Sequence, residues 1–181
     1  MPPSIFGIGQ AVTRTEVDAL LRGEGRYVAD HAPAGAFQAV VLRSPHAHAR
    51  FRIEDVADVR AMPGVALVLT GADTADLGHL PCQGEVPDTR IDVPPYPVLA
   101  RDQVRHVGDA VAFVVADTLA RAKDAAEAIA VAWEALPHVI GAGAALAPGA
   151  PLVWPDLRSN IAFETSLGDR AACERGFAKA A

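Results

Sequence analysis

Between Ala110 and Leu136 the hydrophobic period changes twice, and this switch restricts the fold more than any other feature of the chain. AVAFVVAD, from Ala110 to Asp117, is a short apolar run of strand length. TLARAKDAAEAI then places Leu119, Ala122, Ala126 and Ile129 on one helical face, with Asp117 or Thr118 available as the cap. AVAWEAL, from Ala130, returns to strand character. The apolar face of the helix is small, which suits close packing on a sheet rather than a cofactor pocket. The block predicts a β-α-β unit and a domain that mixes helices with strands.

The flanks add weaker elements of the same kind. AFQAVVLRS, Ala36 to Ser44, reads as a strand stopped at Pro45. Asp55 is placed to cap a short helix in which Val56 and Val59 share a face, and Met62-Pro63-Gly64 ends it. VALVLT, Val65 to Thr70, reads as a buried strand. Upstream, Thr15-Glu16-Val17-Asp18 before Ala-Leu-Leu has the form of a capping box, and Gly23 and Gly25 stop the helix it opens. From Gly71 to about Pro97 there is much Gly, Pro and Asp and no sustained period, and a loop so long inside a domain commonly contacts something else.

Gly141 to Pro155 is a Gly/Ala/Pro-rich connection and the expected domain boundary. Beyond it, Ile161, Phe163, Thr165 and Leu167 alternate as in a strand, and RAACERGFAKAA begins a helix. One strand and one helix cannot bury an apolar face alone, so the chain is expected to end inside a second unit, with apolar surface exposed around Phe163, Leu167 and Phe177. Proteolysis is then expected to leave a core ending near Ala142 to Pro155. The resulting division is residues 1–141 as one domain, 142–159 as a linker and 160–181 as the incomplete start of another.

Composition excludes several function classes. With 51% hydrophobic and 21% charged residues the 181-residue chain can bury a core and is not of the disordered class. A formal net charge of −6 without any basic run argues against a nucleic-acid surface. No basic-then-apolar leader opens the sequence and no stretch approaches the length of a membrane span, so a cytoplasmic protein without membrane contact is expected. Cys82 and Cys173 lie far apart with no CxxC spacing, which reads as two free thiols.

The motif that invites a chemical reading is LRSPHAHAR, Leu42 to Arg50. On a strand His46, His48 and Arg50 would share a face, but two imidazoles need a third or fourth ligand to hold a metal, and His31, His79, His106 and His138 form no ligand-like cluster with carboxylates. The reading preferred is a polar strand edge with Ala47 and Ala49 turned inward; an anion-binding edge of Arg43, His46, His48 and Arg50 is a third. Gly7-x-Gly9 and Gly23-x-Gly25 are fragments of a dinucleotide loop without the required strand and helix around them, and read as turns. No phosphate loop of the Walker type and no nucleophile elbow occurs. Glu54/Asp55 and Asp73/Asp76 fit caps and solvated loops better than an acid–base pair. No catalytic, cofactor-binding or metal-ligating residue is assigned.

Six stretches together resemble the N-terminal part of the large, molybdenum-binding subunit of the xanthine dehydrogenase and aldehyde oxidase family, with the carbon monoxide dehydrogenase branch the most similar. They are RTEVDALLRGEGRYVAD, LRSPHAHARF, AMPGVALVLTGAD, YPVLARDQVRHVGDAVAFVVADT, ARAKDAAEAIAVAWEALPHVI and NIAFETSLGD, in the family's order from about Val12 to Ala181. The resemblance implies an α+β fold, the α/β hammerhead, a mixed sheet with two to three helices. It also implies that RSPHAHAR is a structural strand and turn, and that residues from 160 on begin a molybdopterin-binding domain. Asp109 stands where the family usually has Glu, and Trp133 where Tyr is commoner.

For the intact enzyme the resemblance implies oxidation or hydroxylation of a small substrate with water as the oxygen source. The cofactor would be molybdopterin, as the cytosine dinucleotide, with iron-sulfur clusters and FAD on other domains or subunits. The partners implied are the remainder of the molybdenum subunit and the iron-sulfur and flavin subunits. The chain alone is expected to be inactive and to serve structure and interface, with no cofactor of its own, since iron-sulfur ligation needs cysteines it lacks. The alternative is a free-standing hammerhead module that assembles with a separately encoded catalytic subunit.

Overall fold

The computed structural model describes residues 11–180, in two compact units that meet in sequence between Ala36 and Phe37. In the first, α1 (Val17–Leu21) starts from Glu16, whose side chain makes no capping bond. The expected capping box is not formed, because the helix begins after Thr15, which stays in the preceding turn. Gly23 follows with φ +73° and its N–H donates to the Leu20 carbonyl at 3.2 Å, so the glycine ends the helix as expected.

The second unit contains β1 (Gln38–Arg43), β2 (Ala49–Ile53), β3 (Val65–Thr70), β4 (Gln103–Val104), β5 (Ala110–Ala116) and β6 (Val131–Ala135). They form two three-stranded sheets, ordered β1-β5-β3 and β4-β2-β6, in which every pairing is antiparallel. The α+β class stands as the sequence indicates, with its strands divided between two small sheets. Among the described residues the α-helices are α1, α2 (Ala57–Arg60), which is the short helix expected after Asp55, α3 (Leu119–Ala128), α4 (Ala142–Ala145), a turn inside the expected connection, and α5 (Arg170–Phe177).

The block from Ala110 to Leu136 organises the unit. β5 is the central strand of its sheet, and Val111, Ala112, Val114 and Ala116 are fully buried. The Thr118 side chain accepts from the Arg121 N–H at 3.3 Å and starts α3, which turns Ala122, Ala125 and Ala126 toward β1 and β5. α3 then delivers the chain to β6 at the edge of the other sheet, so the strands on either side of it are not neighbours in one sheet. Two core clusters result, and Leu42, Ile53 and Val131 pack against both.

Asp55 Oδ1 accepts from the Ala57 N–H at 2.9 Å, and Val56 and Val59 are both buried, as their shared face predicts. β3 was expected to be buried but is an edge strand on which Val68 is buried and Leu67 is 44% exposed. The expected strand across 160–169 is absent: these residues have no ladder, and the Asp92 N–H donating to the Ala162 carbonyl at 2.8 Å is a single backbone link. An alternating pattern becomes a strand only where a neighbouring edge accepts it.

Candidate functional site

LRSPHAHAR leaves β1 at Arg43 and enters β2 at Ala49, so it carries the chain from one sheet to the other. Residues 44–48 form a turn, and His46 and His48 therefore do not share a strand face. Ser44, buried, receives the Gly108 N–H on its carbonyl at 2.8 Å and donates its own N–H to the Asp109 carbonyl at 2.9 Å. Its hydroxyl accepts from the His46 N–H at 3.0 Å. These bonds fix the crossing point.

The two histidines are employed separately. His48 is 8% exposed, and its Nδ1 lies 2.9 Å from the Pro137 carbonyl, which accepts only from a protonated nitrogen. That leaves Nε2 to accept from the Gln103 amide at 2.5 Å. His46 packs on Trp133 with ring centroids 5.1 Å apart, and Trp133 in turn packs on Phe51 at 5.4 Å. Arg43 donates to the Gly108 carbonyl at 2.8 Å, while Arg50 faces Glu134, its cross-strand partner, at 3.7 Å. The preferred sequence reading holds for Ala49, which is fully buried, but not for His48, which is also turned inward. Neither a metal pair nor an anion edge is assembled.

A polar cluster continues from His48 along β4. Gln103 holds Arg105 through its carbonyl and its side-chain oxygen, each at 3.4 Å. The Arg105 guanidinium lies 3.7 Å from the centre of the Trp154 ring, a cation–π contact. Burial lowers the Arg105 pKa, and the nearby Asp102 and Asp109 carboxylates oppose that shift. Asp109 is buried and accepts from the Tyr96 hydroxyl at 3.1 Å and the Arg105 N–H at 3.0 Å. Burial, followed by the charge of Asp109, raises the Tyr96 pKa. Neither Gln103, Arg105 nor Trp154 carries a local sequence signal, because Arg105 and Trp154 come together only through the fold.

An open groove of about 580 Å³ runs past Phe51–Val56, Arg60, Thr70–Asp73 and Arg101–Asp102. Its cations are engaged: Arg60 reaches the Val68 carbonyl at 3.1 Å and Asp73 at 3.2 Å, Arg101 reaches the Ala75 carbonyl at 2.8 Å, and Arg52 faces Glu54 at 4.0 Å. Asp73 also accepts from the Thr70 N–H and hydroxyl, both at 2.7 Å. These Thr70 bonds lower its pKa; burial opposes them, and Arg60 adds a further lowering. Val56, not Asp55, is the N-cap of α2, but Asp55 accepts from the Ala57 N–H at its start and Asp76 lies in the 3-10 turn Ala75–Leu77, so these carboxylates serve local structure.

A second groove, of about 390 Å³, is mainly apolar, its lining including Pro94, Val139, Ala142, Val153, Leu157 and Ile161. Of the other candidates, His79 bridges to Pro97, His106 lies 3.7 Å from Asp109, and His138 contacts the Leu136 carbonyl at 3.2 Å. His31 closes the 3-10 turn Val28–Asp30 of the first unit. Cys82 and Cys173 are free and exposed, and Gly7-x-Gly9 lies outside the described residues. Among the described residues no group of three or more His, Cys, Asp or Glu is placed to hold a metal ion, and no helix is long and apolar enough to cross a membrane.

A family model for the aldehyde oxidase and xanthine dehydrogenase a/b hammerhead domain matches residues 22–137. The carbon monoxide dehydrogenase large chain of Afipia carboxidovorans is 34% identical over 96% of this chain and 22% of its own length. The nicotine 6-hydroxylase large subunit of Paenarthrobacter nicotinovorans is 34% identical over 90% of this chain and 20% of its own. The crystal structure of quinoline 2-oxidoreductase from Pseudomonas putida 86 superimposes with a TM-score of 0.73 at 43% identity, covering 85% of this chain and 19% of that one. The chain thus spans about a fifth of the length of these relatives.

Proposed function

Because this chain belongs to the aldehyde oxidase and xanthine dehydrogenase family, through its a/b hammerhead domain, we propose that it is the N-terminal structural and interface domain of a molybdenum hydroxylase large subunit. The observation that carries this reading is the continuous family match across both sheets of the second unit. The whole enzyme would oxidise a small substrate with water as the oxygen source. Its relatives are named for carbon monoxide and nicotine, and the solved structure for quinoline, which span a small gas and N-heterocycles.

Among the described residues, those lining the larger groove do not suit the molybdenum cofactor. A phosphate-bearing pterin needs free cations or an unoccupied cradle of backbone donors, and Arg60 and Arg101 in the larger groove are committed to carbonyls and to Asp73. The cofactor, as molybdopterin cytosine dinucleotide, is assigned to the rest of the large subunit, and iron-sulfur clusters and FAD to further domains or subunits. Those parts are the chain's partners in this reading, which places residues 160–181 at the start of the next domain and the protein in the cytoplasm.

The test is elemental analysis of the purified chain together with a hydroxylase assay on quinoline, nicotine and carbon monoxide. No bound molybdenum and no turnover are expected. Stoichiometric molybdenum, or turnover, overturns the non-catalytic assignment.

A further inference from the structure

The segment after Val139 is rich in Gly, Ala and Pro, the composition of a connector, yet it is heavily tied down. The side-chain amide of Asn160 joins three points of it: its Oδ1 accepts from the Val153 N–H at 3.0 Å, and its Nδ2 donates to the Pro151 carbonyl at 3.0 Å and the Ala145 carbonyl at 3.1 Å. One side chain therefore closes a loop of which α4 is the first turn. The loop is attached to the rest of the unit at two separate places. Trp154 covers the Arg105 guanidinium at 3.7 Å beyond the end of β4, and the Ala162 carbonyl accepts from Asp92 in the long loop at 2.8 Å.

The cation under Trp154 has few alternatives. Arg105 Nε is buried without a hydrogen-bond partner, and its remaining bonds to Gln103 are long, at 3.4 Å. Removing the indole would expose an ordered guanidinium to water but also discard its stacking surface. The apolar groove depends on the same docking, because Ala142, Ala145, Val153, Leu157 and Ile161 of this segment line it together with Pro94 and Val139.

We propose that residues 141–162 are a strap latched onto the hammerhead by the Arg105–Trp154 stack and held in shape by Asn160, and that the strap opens as a unit while both core clusters stay folded. It is a conformational device of the fold: closed, it forms the apolar groove and shields Arg105; open, it removes both. This inference does not depend on whether the chain is catalytic.

Amide hydrogen exchange on the 181-residue chain tests it, with peptides covering the strap compared with those covering β5 and α3. The unsubstituted chain is expected to protect the strap at Val153, whose N–H is bonded to Asn160, and, contrary to the cleavage that composition alone leads one to expect between Ala142 and Pro155, to resist cleavage there. Trp154→Ala and Asn160→Ala are each expected to raise exchange across 141–162 by about tenfold or more with β5 unchanged, and Trp154→Phe to preserve protection. Free exchange or ready cleavage of the strap in the unsubstituted chain overturns the proposal, as does unchanged protection in both alanine variants. If those variants fail to fold, low urea supplies the same reading on the unsubstituted chain. Strap protection lost before that of β5 supports an independently opening strap, and simultaneous loss refutes it.

Discussion

Gly71 shows how a single missing side chain positions two segments. A Cβ at this position would lie 2.4 Å from the Ala100 carbonyl oxygen and 2.8 Å from Arg101 Cα, both backbone atoms that cannot rotate away. Gly71→Ala is therefore expected to destabilise the chain by about 1–3 kcal/mol, as overpacking does, measurable as a lower urea midpoint. Nearby, Asp73 is held below its ordinary value of 3.8 by Thr70 and Arg60. A carboxyl whose folded pKa is depressed adds stability above its unfolded value, and that contribution is lost as pH falls through the folded pKa. Asp73→Asn should cost about 1 kcal/mol at neutral pH, discounted for its partial exposure, and the difference in urea midpoint should shrink below about pH 4. A difference that stays constant down to acid pH would show that the charge is not what matters. At this scale the sequence is legible only in part: it places His46 and His48 as if on one strand face, and their separate employment depends on Pro137, Gln103 and Trp133, residues too distant in sequence to suggest it.

Elements were legible where local pattern and tertiary demand agree. β5, α3 and β6 lie within a residue or two of their sequence limits, because the helical face of α3 is built from alanines that the sheet needs at close approach. Ala125 is fully buried against this sheet, so Ala125→Leu should cost about 1–3 kcal/mol with no change in the family of exposed residues. Thr118→Ala, which removes the cap on the same helix, should cost about 1 kcal/mol, and Thr118→Asp should recover most of it. The pattern across Ile161 to Leu167 is equally regular but forms no strand, since periodicity states which residues could share a face and not whether an edge is there to pair with them. The same reasoning explains β3: its apolar run is that of a central strand, and only the pairing order shows it to be an edge.

At the scale of the molecule, the surface is uneven in a way that bears on how the chain behaves in solution. Phe163, Leu167 and Phe177 are 46%, 88% and 81% exposed, and α5 has no buried residue. Exposed aromatic and aliphatic side chains within one short stretch recover roughly 25 cal/mol for each Å² of apolar area they bury, so any surface that covers them gains free energy. In the proposed large subunit the rest of the chain would be that surface. In the isolated chain another copy can serve, which predicts concentration-dependent association in sedimentation velocity. Leu167→Lys combined with Phe177→Glu should restore a monomer without altering the circular dichroism, because neither side chain supports the cores. A substituted chain that still associates would locate the contact elsewhere, with the exposed Leu77 and Leu80 of the long loop the next apolar positions to replace. An unsubstituted chain that stays monomeric at every concentration would show that these side chains, though exposed, do not present a patch large enough to hold a second copy.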